Sequence, residues 1–142
     1  GVRLPDMQFG YSPGQVLNIV DSLGTEGRLF YLRFLIFDFI FIVSFAFSQT
    51  EVLKIIMGKV LLKSKWSYLL ILPLLRGFFD TVENLLIIVI LANYPVQLAG
   101  IARLAGIATA LKFVALWLWV VAAVILFGVR KTGFKDKIKN LG

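Results

Sequence analysis

PLLRGFFDTVENLLIIVILAN, residues 73–93, is apolar enough to cross a bilayer, yet Arg76, Asp80 and Glu83 lie well inside it. At about 100° per residue the three fall within roughly 60° of one another on a helix, and Asn84 and Pro73 flank that arc. Most of the other positions are Leu, Ile, Val and Phe. Ionised groups at membrane depth are costly unless paired, so this face must turn toward other helices or a wet cavity. The rest of the chain has to supply its partners.

Outward from that stretch, composition points the same way. Of 142 residues 59% are hydrophobic, and mean hydropathy is +0.89. Soluble domains lie nearer about 45–50% apolar, so a membrane class is expected. With about 20 residues needed per crossing, three crossings and short loops fit. Cys and His are both absent. That excludes thiol redox chemistry, thiolate zinc, His-ligated haem and Ser-His or Cys-His nucleophile pairs within this chain. No catalytic residue, metal site or cofactor is expected. The net charge of +7 comes largely from lysines flanking apolar runs. This reads as cytoplasmic retention and contact with membrane lipids rather than nucleic-acid binding.

The predicted fold is all-α, an integral membrane helical bundle forming one domain. Its three transmembrane helices cover 28–48, 67–92 and 101–128, with short amphipathic helices beside them. In the first span Phe30, Phe34, Phe37, Phe41 and Phe45 recur at helical spacing, and Asp38 lies at its middle. The Phe stripe reads as lipid contact or helix packing. The second span starts beside Trp66 and Tyr68, which suit the headgroup level. In the third, Ala102, Gly106 and Ala110 form a small-residue stripe that lets another helix approach closely. Lys112 is its deep charge.

Segment 1–27 is expected to be external. After an irregular start, Ser12, Pro13 and Gln15 form a capping box that opens a short helix. Val16, Leu17, Val20 and Leu23 share one side of it, and Gly24 can end it. Such a helix is expected on the membrane surface or over the bundle. The connector 49–66 carries Lys54, Lys59, Lys63 and Lys65 against Glu51, and reads as a basic interfacial segment opened by Gln49-Thr50. The tail 129–142 carries five cations against Asp136. The positive-inside rule places connector and tail in the cytoplasm and the N-terminal segment outside the cell membrane. Since residue 1 is Gly, a further upstream span or signal peptide is also expected.

Deep charges number three of each sign: Arg33, Arg76 and Lys112 against Asp38, Asp80 and Glu83. A rise of about 1.5 Å per residue puts Asp38, Asp80, Glu83 and Lys112 in one layer of the outer half. Arg76 reaches Asp80 as an i,i+4 partner, whereas Arg33 lies higher and snorkels. Asp38, Arg76, Asp80, Glu83, Asn84 and Lys112 are therefore the candidate ligand or ion-pathway residues. One functional reading is a small non-enzymatic membrane subunit or scaffold with a protein partner or a second copy of itself. The alternative is a transporter or channel-like protein moving a proton, cation or small polar ligand through that layer. A lipid-modifying enzyme would need a carboxylate open to a lipid-sized groove, which no sequence feature picks out.

LPDMQFGYSP at 4–13, LGTEGR at 23–28 with Tyr31 and Asp38, DTVEN at 80–84 and Lys112 together resemble a group of small multi-pass bacterial integral membrane proteins. The resemblance covers most of the chain. It implies a membrane setting and no particular activity.

Overall fold

The structure is a computed structural model and describes residues 12–131. The irregular segment expected over 1–11 and most of the basic tail lie outside them. Among the described residues every regular element is helical. They are α1 (Pro13–Ser22), α2 (Gly24–Leu62), a 3-10 turn (Lys65–Leu70), α3 (Ile71–Ala92) and α4 (Ala99–Lys131).

The expected capping box starts α1. Ser12 Oγ accepts from the Gln15 backbone N–H at 3.3 Å, and Gln15 Oε1 accepts from the Ser12 N–H at 2.7 Å. Two orphan donors of the first turn are thereby satisfied. Val16 and Val20 are buried against Ile90 and Ala102, so α1 closes one end of the bundle. Gly24, with φ +64°, turns the chain from α1 into α2. Arg28 then ties the start of α2 to the α3–α4 turn, its guanidinium 3.8 Å from the Tyr94 ring centroid.

α2 differs from expectation. The sequence suggested a span ending at Ser48 and a separate connector from Gln49, but the helix continues through that point. From Gly24 to its break at Gly58 it runs about 50 Å, well beyond a bilayer's hydrocarbon core. Nothing at Gln49-Thr50 interrupts the backbone ladder, because Thr50 Oγ1 donates to the Ala46 carbonyl at 2.8 Å and stays within its own helix. Ser44 and Ser48 do the same, each at 2.8 Å, to the carbonyls of Ile40 and Ser44. The break comes at Gly58, with φ 60° and ψ 178°, a conformation open essentially to glycine alone.

α3 runs antiparallel to both neighbours. Tyr31 and Leu35 of α2, Ile87 of α3 and Ala105 of α4 are buried in one cluster. Leu53, Met57 and Leu61 form a second with Leu126 near the far end. There Trp119 Nε1 donates to the Gln49 carbonyl at 3.2 Å, and Arg130 Nη1 donates to the Ile55 carbonyl at 2.7 Å. The small residues of α4 are consumed inside the chain: Ala102, Ala105, Gly106 and Ala108 are buried.

By length and composition two helical stretches, Gly24–Lys59 and Ala99–Arg130, are apolar enough to cross a membrane. The third expected one, α3, is long enough at 22 residues but carries Arg76, Asp80 and Glu83. On composition it does not qualify alone, so two of the three expected spans are apolar enough by themselves. Both apolar helices turn large side chains outward, with Phe30 and Phe37 each 70% exposed and Val124 66%.

Gly58 and Gly77 should respond oppositely to alanine. A Cβ at Gly77 would meet Ala46 and Ile42 at 3.5 and 3.6 Å, ordinary contact distances. Gly77→Ala in mid-helix is therefore expected to be neutral or to stabilise by up to about 1 kcal/mol. Gly58→Ala should destabilise by about 1–3 kcal/mol, because its backbone conformation is unfavourable for any L side chain. Thermal unfolding followed by circular dichroism checks both, and an unaffected Gly58→Ala protein would refute the kink.

Candidate functional site

Lys112 sits at the centre of a buried polar cluster. Its Nζ donates to Asp80 Oδ1 at 2.9 Å and pairs with Glu83 Oε2. Asp80 Oδ2 also accepts from Arg76 Nη2 at 2.9 Å, one helical turn earlier on α3. A continuous ion chain thus runs Arg76, Asp80, Lys112, Glu83. The α3 register makes this possible, since positions 76, 80, 83 and 84 share the face turned to α2 and α4. Glu83 and Asn84 have no exposed surface at all. Thr109, three residues before Lys112, donates to the Ala105 carbonyl at 3.0 Å and stands beside the Glu83 carboxylate.

A second link brings in α2. Asn84 Nδ2 donates to Asp38 Oδ2 at 2.8 Å. Asp38 is half-buried and has no other hydrogen bond or ion pair among the described residues. Its other oxygen is therefore open. Arg76 is covered by the Phe45 ring, 4.2 Å from the centroid, and its Nε and Nη1 are buried without a hydrogen-bond partner. Contact with the ring face compensates part of that loss.

α2 and α4 meet at both ends of the bundle and part between them. At that level a cavity of about 480 Å³ opens, reaching Asp38, Arg76, Asp80 and Lys112. Phe34, Phe37 and Phe41 of α2 wall it on one side, and Phe113 and Leu116 of α4 on the other. The floor is charged and the walls are apolar, a combination typical of small-molecule sites. Three carboxylates, those of Asp38, Asp80 and Glu83, stand against the two cations Arg76 and Lys112.

All six residues singled out from the sequence come together here: Asp38, Arg76, Asp80, Glu83, Asn84 and Lys112. Arg33 does not join them. Expected to lie higher, it is exposed and pairs with no acid among the described residues, so two of the three deep cations enter the cluster. Sequence reasoning missed Phe113 and Leu116 as cavity walls and Phe45 as the lid on Arg76. It also missed Gln49, 3% exposed with no hydrogen bond to its side-chain amide. The Phe spacing was visible, but a helical stripe alone does not reveal which ring faces a cavity. Comparison of the chain with protein-family models, curated sequences and solved structures returns no match. The chemistry of the site therefore has to be read from its own geometry.

Lys112 holds two acids, which makes its removal selective in what rescues it. Lys112→Met leaves Glu83 without a cation while Arg76 keeps Asp80, and should cost about 3 kcal/mol. Adding Glu83→Gln removes the orphaned charge and should recover most of that loss. Adding Asp80→Asn instead strands Arg76 as well and should deepen it. Thermal unfolding of the single and double variants measures both couplings. Equal effects of the two second substitutions would contradict the ion chain described here.

Proposed function

We propose that this chain is a non-enzymatic integral membrane protein that binds an amphipathic small molecule in the cavity between α2 and α4. The observation carrying this reading is the cavity itself, apolar in its walls and open onto buried ionised groups. A subunit held together by sealed charge pairs would have no use for such an opening. Intramembrane ionisable groups that border a cavity are functional candidates by default.

Support for the membrane comes from the outward apolar faces. Phe30, Phe37, Val43 and Phe47 of α2 and Leu118 and Val124 of α4 are exposed, so both helices present large apolar side chains outward. Lipid covers such faces at no cost. α3 would cross between them, its charges masked by α2 and α4, giving a three-span bundle. The basic residues around the Gly58 break and the tail favour the cytoplasmic side, placing the α3–α4 turn and the N-terminal segment outside. This is the setting implied by the resemblance to small multi-pass bacterial membrane proteins.

The rival reading as a partner-binding subunit drew on the small-residue stripe of α4. Ala102 and Gly106 are already buried within the chain and Ala110 is half-buried, so most of that stripe is not offered to a second protein. The exposed Phe residues remain open to lipid or a partner, and a transported rather than retained ligand would use the same cavity.

Two measurements test this. The chain lacks cysteine, so Gln97→Cys and Lys63→Cys place single labels on opposite ends of the bundle. An impermeant maleimide added to intact cells should label the Gln97→Cys protein alone, and the reverse pattern would invert the topology. Native mass spectrometry of protein extracted in mild detergent should reveal a bound non-protein mass, lost in Leu116→Trp, which fills the cavity. Recovery of a stoichiometric protein partner with an empty cavity would restore the subunit reading.

A further inference from the structure

Among the described residues Asp38 is the one acid of the site that forms no ion pair, although Arg76, bonded to Asp80, also attracts it. The hydrogen-bond partner of Asp38 among the described residues, Asn84, is neutral and occupies one oxygen. Asp80 shares Lys112 with Glu83 and adds Arg76, so those four charges balance two against two. The cluster as a whole therefore carries one negative charge in excess, and Asp38 is the acid outside its ion pairs. Around it on the same helix stand Phe34, Phe37 and Phe41, all lining the cavity. Phe41 stacks on Phe45 with centroids 5.4 Å apart, which fixes its plane.

Resting on the binding reading above, we infer that the cavity takes a monovalent organic cation, its charge against Asp38 and its apolar groups against Phe34, Phe37 and Phe41. Aromatic faces attract weakly hydrated cations, and a carboxylate among such rings supplies the counter-charge. A hard inorganic cation fits poorly. No group of three or more acidic or other metal-ligating side chains converges among the described residues, and Phe rings cannot replace its lost water ligands. An anion fits poorly as well. Lys112 is committed to two carboxylates, and Arg76, which borders the cavity, is bonded to Asp80, with its Nε and Nη1 buried. Wall composition sets a second preference. Leu116 and Phe113 across the cavity offer no acceptor, so a cation bearing bulky apolar substituents satisfies the site better than a small primary amine.

The test uses tetraphenylphosphonium and tetraphenylborate, near-isosteric ions of opposite charge, titrated by calorimetry into the full chain in a non-ionic maltoside micelle. Tetraphenylphosphonium should bind saturably, with about one site per chain, while tetraphenylborate shows only partition into micelles. Asp38→Asn keeps the size and the hydrogen bond to Asn84 and should weaken cation binding by at least about tenfold. Phe37→Ala, at an exposed position outside the packed clusters, should weaken it about threefold. Asp38→Glu retains the charge and should retain binding, which covers the case in which Asp38→Asn fails to fold. Saturable binding of tetraphenylborate in place of the phosphonium would overturn the inference and leave the binding reading standing. So would phosphonium binding indifferent to Asp38→Asn. Saturable binding of neither ion also overturns it, and the binding reading falls with it if protein purified from cells carries no small molecule.

Discussion

The bundle depends on Lys112 reaching across to the acidic face of α3. Asp80 and Glu83 are like charges three residues apart on one helix and are almost wholly buried. Left alone, they would repel one another and resist removal from water. One ammonium between them, with Arg76 on the other oxygen of Asp80, turns that repulsion into a chain of alternating charge. Alternation is what lets the closely packed α3–α4 pair carry a polar seam without unfavourable net charge at the seam itself. The hydrocarbon clusters on either side then fix the register at which the ions meet. In the membrane setting proposed above, packing between apolar side chains would supply little preference of its own, so such polar pairs and the buried small residues of α4 would carry more of the specificity.

Much of this seam was legible in the sequence. Three ionisable residues at i, i+4 and i+7 in an apolar run can only share one face, and that face must find cations. Lys112, placed alone in the next apolar run, was the natural partner. The capping box at Ser12 and the small residues of α4 were legible for similar reasons, since each is a local pattern with a local cause. Arg33, read from the sequence as lying higher, stands apart from the seam. Five residues before Asp38, it lies on a different side of α2, so side-chain direction as well as depth keeps it out.

What could not be read concerns where helices stop and how far apart they stand. Gln49-Thr50 looked like a boundary because polar residues followed a long apolar run. In the structure Thr50 returns its hydroxyl proton to the Ala46 carbonyl and the helix absorbs it. Gly58 carried the true signal, since only a residue without a Cβ accepts its backbone angles. The cavity is a property of the separation between α2 and α4, set by contacts at both ends and by α3 between them. No single stretch of sequence encodes it. The Phe residues of α2 could therefore be placed on a stripe, but not assigned to its walls.

The seam and the cavity place opposite demands on the same acids. Within the seam, each carboxylate is stabilised by being held against a cation and hidden from any ligand. A cavity that recognises charge needs the reverse: a group kept ionised but left unsatisfied. Asp80 touches both regions and is committed on both oxygens, so it can only set the local field. Asp38 meets the second demand because it comes from α2, outside the ion chain, and is held by an amide rather than a cation. Replacing that amide by a basic residue would complete the charge balance and close the site. A neutral Asn at position 84 orients Asp38 while leaving its charge available, and in that sense it separates the part of the cluster that holds the fold from the part that faces the cavity.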